Sequence, residues 1–213
     1  MGHAAPATTH ASQDHQRRIG LTGGIASGKS SVGHLLLEQH GIPVLDADVY
    51  AREALAPRTP AARAVIARFG TGVLATGSDA DAAVIDRLAL GRWVFADAQA
   101  RLWLERLVHP IVRGRFETEL ARLAEAPVVV LMIPLLFEAG LETLCQETWL
   151  VDCEPNQQLA RLMARNGLSR AEAQARIDAQ WPLARKRPLA TVILDNRGEP
   201  AALAGQTRQA LLG

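Results

Sequence analysis

Between Gly23 and Ser31 the chain reads GGIASGKSS, a glycine followed by four residues and then Gly28-Lys29-Ser30. This is the phosphate-binding loop pattern. It constrains the fold more than any other segment, because it works only between a strand and a helix. The loop backbone has to curl around a phosphate with its N–H groups turned inward, which calls for glycine freedom at Gly23 and Gly28. A helix starting at the loop adds free N–H groups and the positive end of its dipole. Lys29 places a charge on the β- and γ-phosphates, and Ser30 offers a hydroxyl suited to Mg2+. The flanks agree: Arg18–Thr22 is a short apolar run ending in glycines, and Ser30–Gln39 has helical periodicity and stops before Gly41.

Composition sharpens this reading. The chain has only two lysines, Lys29 and Lys186, among 23 basic residues. Base composition accounts for the excess of arginine. With lysine so scarce, a chance match to the loop pattern falls to roughly one in a thousand. One of the two lysines stands at the one loop position where a compact charge on a flexible stem suits phosphates better than a planar fork. Lys186, between Arg185 and Arg187, is a weaker candidate for phosphate contact.

The remaining bounds exclude several classes. A length of 213 residues allows one compact α/β domain with small inserted lobes. A formal charge of +1 gives no global attraction to nucleic acid or membrane. Cys145 and Cys153 form no CxxC pair, so neither a zinc site nor a disulfide framework is expected, and a reducing cytoplasm suits them. No apolar run is long enough to span a bilayer. Residues 1–17 read as a disordered leader, and its histidines (His3, His10 and His15) are too loosely spaced to predict a metal site.

Along the chain, Ile42–Leu45 is a second short strand ending at Asp46-Ala47-Asp48. Strand, glycine loop, helix and strand open a parallel α/β sheet. Helices are expected over about 59–69, 86–95 and 97–123, with a break at 70–81 and a bend at His109-Pro110, where proline disfavours helical geometry in the residue before it. Val128–Ile133 is the most hydrophobic strand and belongs in the middle of the sheet. Glu147–Asp152 and Thr191–Leu194 are further strands. Asn156–Gln180 is a helical pair broken at Gly167, and Pro200–Leu212 is a closing helix.

The acids narrow the choice among phosphate-loop proteins. There is no Asn-Lys-x-Asp run to read guanine, and the hydrophobic strand ends Met132-Ile133-Pro134 with no acid before Glu138. Asp46 and Asp48 instead follow the second strand. At the carboxyl edge of a parallel sheet they come near the γ-phosphate, where a carboxylate can take a proton from an attacking hydroxyl. The competing reading is a strand-end turn and helix N-cap. Arg161 and Arg165 are four apart on one helical face, as is needed to lay two cations over a transferring phosphate.

Taken in order, LTGGIASGKSS, GIPVLDADVYAR, RLALGRWVFAD, LERLVHPIVR, VLMIPLLFEAG and QLARLMARNGLSRAEAQARIDAQ resemble the dephospho-CoA kinase family from Arg18 to Gly198. Asp-Ala-Asp, His-Pro and Pro-Leu-Leu-Phe-Glu at these separations carry the resemblance. It implies a nucleoside-kinase-like P-loop fold of three α/β/α layers: a five-stranded parallel sheet, a helical acceptor-binding insertion and a small helical lid. The core is expected at residues 18–53, 126–154 and 189–213, the insertion at 54–125 and the lid at 155–188.

The resemblance also implies transfer of the γ-phosphate of ATP, with Mg2+, to the ribose 3′-hydroxyl of dephospho-CoA, in a cytoplasmic and most simply monomeric enzyme without nucleic-acid or membrane partners. Gly23, Gly24, Ile25, Ala26, Ser27, Gly28, Lys29, Ser30 and Ser31 would hold ATP, with Asn196 near the adenine and Ser30 on the metal. Asp48 matches the catalytic base, with Lys29, Arg161 and Arg165 acting on the phosphates. Dephospho-CoA would meet Asp48, Arg52, His109, Arg113 and Leu135. For Arg52 a solvent-facing helical position stands as the alternative, for His109 a packed position at a helix bend, and for Leu135–Phe137 plain core packing. One departure from the family is visible: Ala190-Thr191 stands where Ala-Asp is usual.

Overall fold

A computed structural model describes residues 16–77 and 83–213. The expected leader, with its three histidines, and part of the break at 70–81 lie outside the described residues, except that Gln16 is already buried and Arg17 opens the first strand.

Five strands form one parallel sheet: β1 (Arg17–Gly23), β2 (Val44–Asp46), β3 (Val128–Met132), β4 (Glu147–Asp152) and β5 (Val192–Asp195), in the order β2-β3-β1-β4-β5. β1 lies at the centre, with Leu21 opposite Met132 on one side and opposite Trp149 on the other. Its run of buried residues is what a strand covered on both faces requires. One face packs Ile19, Leu21, Val32, Leu36, Val130 and Trp149 beneath α1 (Lys29–His40) and α9 (Pro200–Leu212). The other packs Leu45, Val129, Leu131 and Ile133 against α2 (Ala47–Ala54) and α5 (Ala98–Arg122), through Tyr50, Val112 and Phe116. These are the three α/β/α layers expected from the sequence.

The insertion adds α3 (Pro60–Phe69) and α4 (Arg87–Ala96), which close on a separate small core of Val65, Val73, Leu90 and Val94. The expected bend at His109-Pro110 does not break the helix: α5 runs through Pro110 from Ala98 to Arg122. Proline forfeits one helical hydrogen bond there. Val108, Val112, Phe116 and Leu120, spaced four apart and all buried, hold both halves of the helix on the core.

The segment expected to form the lid holds α6 (Pro155–Asn166) and α7 (Arg170–Asp178), followed by the single turn α8 (Leu183–Lys186). Gly167 ends α6 with φ 62°, a left-handed position that glycine takes without strain. Thr191, the departure from the family pattern, sits at the head of β5. Its hydroxyl donates to the Thr148 carbonyl at 3.0 Å and accepts from the Thr148 N–H at 2.9 Å, so strand pairing replaces any ion pair there. Among the described residues no helix is long and apolar enough to cross a membrane.

Candidate active site

All five strands deliver their carboxyl ends to one side of the sheet, and a cleft of about 1250 Å³ opens there. β1 runs into the glycine loop. Gly28, at φ 105°, turns the chain into α1, a conformation closed to other residues without strain. A side chain on Gly28 would strike the Asn196 amide, and a Cβ on Gly23 would come within 2.9 Å of the Val151 carbonyl. At these two positions the packing behind the loop leaves no room for a side chain. No side chain caps α1, so its first N–H groups are left to an anion.

Lys29 is buried, and Ser30 and Ser31 are exposed in the same cleft. Burial pushes the Lys29 ammonium below the ordinary lysine value of 10.5. Asp48 and Asp46 pull it back up, while Arg165 and Lys186 push it further down. Lys29 therefore sits in the field of both acids and of the lid arginine, and an anionic ligand would complete its charge balance.

The two acids are distinguished by their bonds. Asp46 caps α2, its carboxylate accepting from the Asp48 N–H at 2.8 Å. Asp48, in the first turn of α2, is exposed into the cleft and its carboxylate accepts no hydrogen bond among the described residues. Asp46 is thus the N-cap, and both acids line the cleft. Arg52 lines the cleft one turn later, its Nε donating to the Asp48 carbonyl at 3.0 Å.

From the lid, Arg161 and Arg165 face the same cleft. Arg161 donates through Nη2 to the Asn196 carbonyl at 3.0 Å, while its Nη1 is buried without a partner. A buried guanidinium nitrogen left unsatisfied is costly, and a phosphate oxygen is its natural acceptor. Asn196 itself does not line the cleft: its Nδ2 donates to the Ser27 carbonyl at 2.7 Å and so braces the loop from behind.

On the acceptor side, His109 and Leu135 line the cleft with Arg87, Phe95, Leu104 and Val108. Leu136 is fully buried in the core and Phe137 packs against it, so of this trio Leu135 alone faces the cleft. Arg113 is not among the lining residues; its Nε meets Glu117 at 3.1 Å on the outer side of α5. The Arg176 guanidinium of α7 lies 5.2 Å from the centre of the Phe95 ring, a cation–π contact between lid and insertion.

Lys186 is not among the residues that line the cleft. It is fully buried, and its Nζ pairs with Glu138 at 2.8 Å and donates to the Pro134 carbonyl at 3.0 Å. Glu138 also accepts from the Trp181 N–H at 2.9 Å. Sequence reasoning missed this pair, and it missed Gln158 and Gln180, which bond to the Ile25 peptide. The signal available was that both glutamines fall inside the family-like segment Gln158–Gln180, but an amide side chain carries no chemistry that singles it out.

Three comparisons agree with this geometry. The family model described as dephospho-CoA kinase matches residues 17–201. A dephospho-CoA kinase of Synechococcus sp. (strain CC9605) is 61% identical over 196 residues, covering 92% of each chain. Among solved structures, a Thermus thermophilus protein is 41% identical with a TM-score of 0.76 over 93% of this chain and 97% of its own. A dephospho-CoA kinase from Campylobacter jejuni is 25% identical with a TM-score of 0.65 over 92% and 96%.

Proposed function

The chain belongs to the dephospho-CoA kinase family, and from that premise we propose how its cleft residues divide the work. It phosphorylates dephospho-CoA, the last step of coenzyme A biosynthesis, and as a P-loop kinase it uses ATP. The observation that carries the residue assignment is the meeting, in one cleft, of a buried Lys29 at a glycine loop with an unbonded Asp48 carboxylate.

Gly23–Ser31 cradle the triphosphate, with loop N–H groups and Lys29 on its β- and γ-oxygens. Asp48 orients the ribose 3′-hydroxyl and takes its proton as the oxygen attacks. Arg161 and Arg165 cover the transferring phosphate, neutralise its charge and exclude water that would otherwise hydrolyse ATP. Arg52, His109 and Leu135 hold the acceptor, with Phe95 and Val108 completing an apolar wall. Asn196 supports the loop that holds the nucleotide.

The donor set fits Mg2+. The Ser30 hydroxyl, at the loop position suited to the metal, faces the cleft with Asp46 and Asp48. Such a site leaves the remaining positions to phosphate and water. When bound, Mg2+ supplies charge neutralisation on the β- and γ-phosphates. Two free thiols suit a reducing cytoplasm.

The test is Asp48→Asn. Loss of a general base costs about 10²- to 10⁴-fold in turnover, with KM for ATP and the melting temperature near wild type. Near-normal turnover in a folded Asp48→Asn protein would remove Asp48 from the base role.

A further inference from the structure

The backbone of Ile25, inside the glycine loop, is held at both its N–H and its carbonyl by the lid segment. Gln158 on α6 donates through Nε2 to the Ile25 carbonyl at 2.8 Å. Gln180, just beyond α7, accepts from the Ile25 N–H at 2.9 Å. The two amides therefore present opposite polarity to the two successive peptide groups that flank Ile25, and they come from the two ends of the α6–α7 hairpin. Gln158 is buried, and a side chain on Gly24 would displace its amide.

Two further observations bind the same parts. Ile25 and Ala26 pack against Leu159, Leu162 and Ala173, so the small core of the lid includes loop side chains. Ala26 stands at φ 60°, a left-handed conformation that costs a non-glycine residue about 1–2 kcal/mol. A strained residue beside a doubly held peptide indicates a loop shape imposed from outside, since its own sequence would relax it.

We propose that Gln158 and Gln180 are positioning residues for phosphoryl transfer. They hold the peptide groups on either side of Ile25 and keep the glycine loop in its phosphate-cradling shape, so that the loop and the lid arginines form one rigid unit. This rests on the reading of Gly23–Ser31 as the ATP cradle. Neither glutamine needs to touch a reacting atom; they act through the loop backbone. The next residue, Trp181, is tied by its N–H to Glu138, so the clamp is anchored to the loop that carries Leu135 into the acceptor pocket.

Polarity gives a test that packing alone would not pass. Gln180→Met removes the acceptor and should raise KM for ATP about fivefold, the worth of one such hydrogen bond, while KM for dephospho-CoA does not follow it. Gln180→Glu restores an acceptor and should recover most of that loss. Gln158→Glu brings the same charge to the same residue's backbone but sets a carboxylate against the Ile25 carbonyl, so it should recover nothing relative to Gln158→Met. Melting temperatures accompany each variant. If the buried Gln158 variants unfold, the Gln180 pair decides alone, since that side chain is only half-buried. Glutamate acting alike at both positions, or Gln180→Met with wild-type KM for ATP, would overturn the clamp. Lys29→Ala is the control: if it too keeps full activity, the ATP-cradle reading fails, whereas loss of activity there with an indifferent Gln180→Met sinks the clamp alone.

Discussion

Glu138→Ala is expected to destabilise the protein far more than the loss of a surface ion pair. The Lys186 side chain it leaves behind is fully buried, with Nζ 2.8 Å from the lost carboxylate and only the Pro134 carbonyl, at 3.0 Å, remaining. Removing one partner of such a pair strands a charge in low dielectric and costs about 3–5 kcal/mol. The Trp181 N–H also loses its acceptor, although the two losses share a network and do not simply add. For a chain of this size each kcal/mol lowers Tm by about 2–4 °C, so the fall should be about 6–20 °C. The assay is urea and thermal unfolding followed by circular dichroism, at low and high salt. A buried pair is poorly screened, so salt should change the difference little. Glu138→Leu combined with Lys186→Met should regain most of the loss, because an apolar pair leaves no charge behind. A cost below about 1 kcal/mol for Glu138→Ala, the range of exposed pairs, would refute the claim that Lys186 is desolvated and anchors the lid.

Two titrating groups give further predictions. Burial lowers the Lys29 pKa in the free enzyme, and bound phosphates favour its protonated form and so raise that pKa. ATP binding should take up a proton in the alkaline window below 10.5, and ATP affinity should weaken as pH rises through the pKa of the free enzyme. Calorimetric titration across that range checks this, and an affinity flat with pH would contradict it. Burial pushes the Cys145 thiol up to about 12 and raises Cys153 as well. Iodoacetamide should therefore label neither at pH 8 in the native protein and both in urea, as counted by mass spectrometry. Rapid labelling of native Cys145 would show that burial does not hold its thiol protonated.

Much of the architecture could be read before the structure. The order of strand, loop, helix and strand followed from periodicity and glycine placement, because local spacing reports which face is buried. Asp48 and the lid arginines were likewise legible, since charge at helical spacing beside a phosphate loop carries its own meaning. What escaped depended on distant contacts. Lys186 reads as one more cation in an Arg-Lys-Arg run, and only its proximity to Glu138 turns it inward. Pro110 reads as a bend, and the four side chains buried on one helix face keep α5 continuous through it. Asn196 and the two lid glutamines act on loop carbonyls and N–H groups, partners that no sequence pattern displays.

Whether this cleft serves one alcohol acceptor is decided by ADP release with purified protein and ATP, comparing dephospho-CoA with shikimate, gluconate and nucleosides, with the product identified by mass spectrometry. ADP release should be matched by formation of coenzyme A, phosphorylated at the ribose 3′-oxygen, and none should depend on the other alcohols. ADP released equally with another acceptor, or without any, would contradict that expectation.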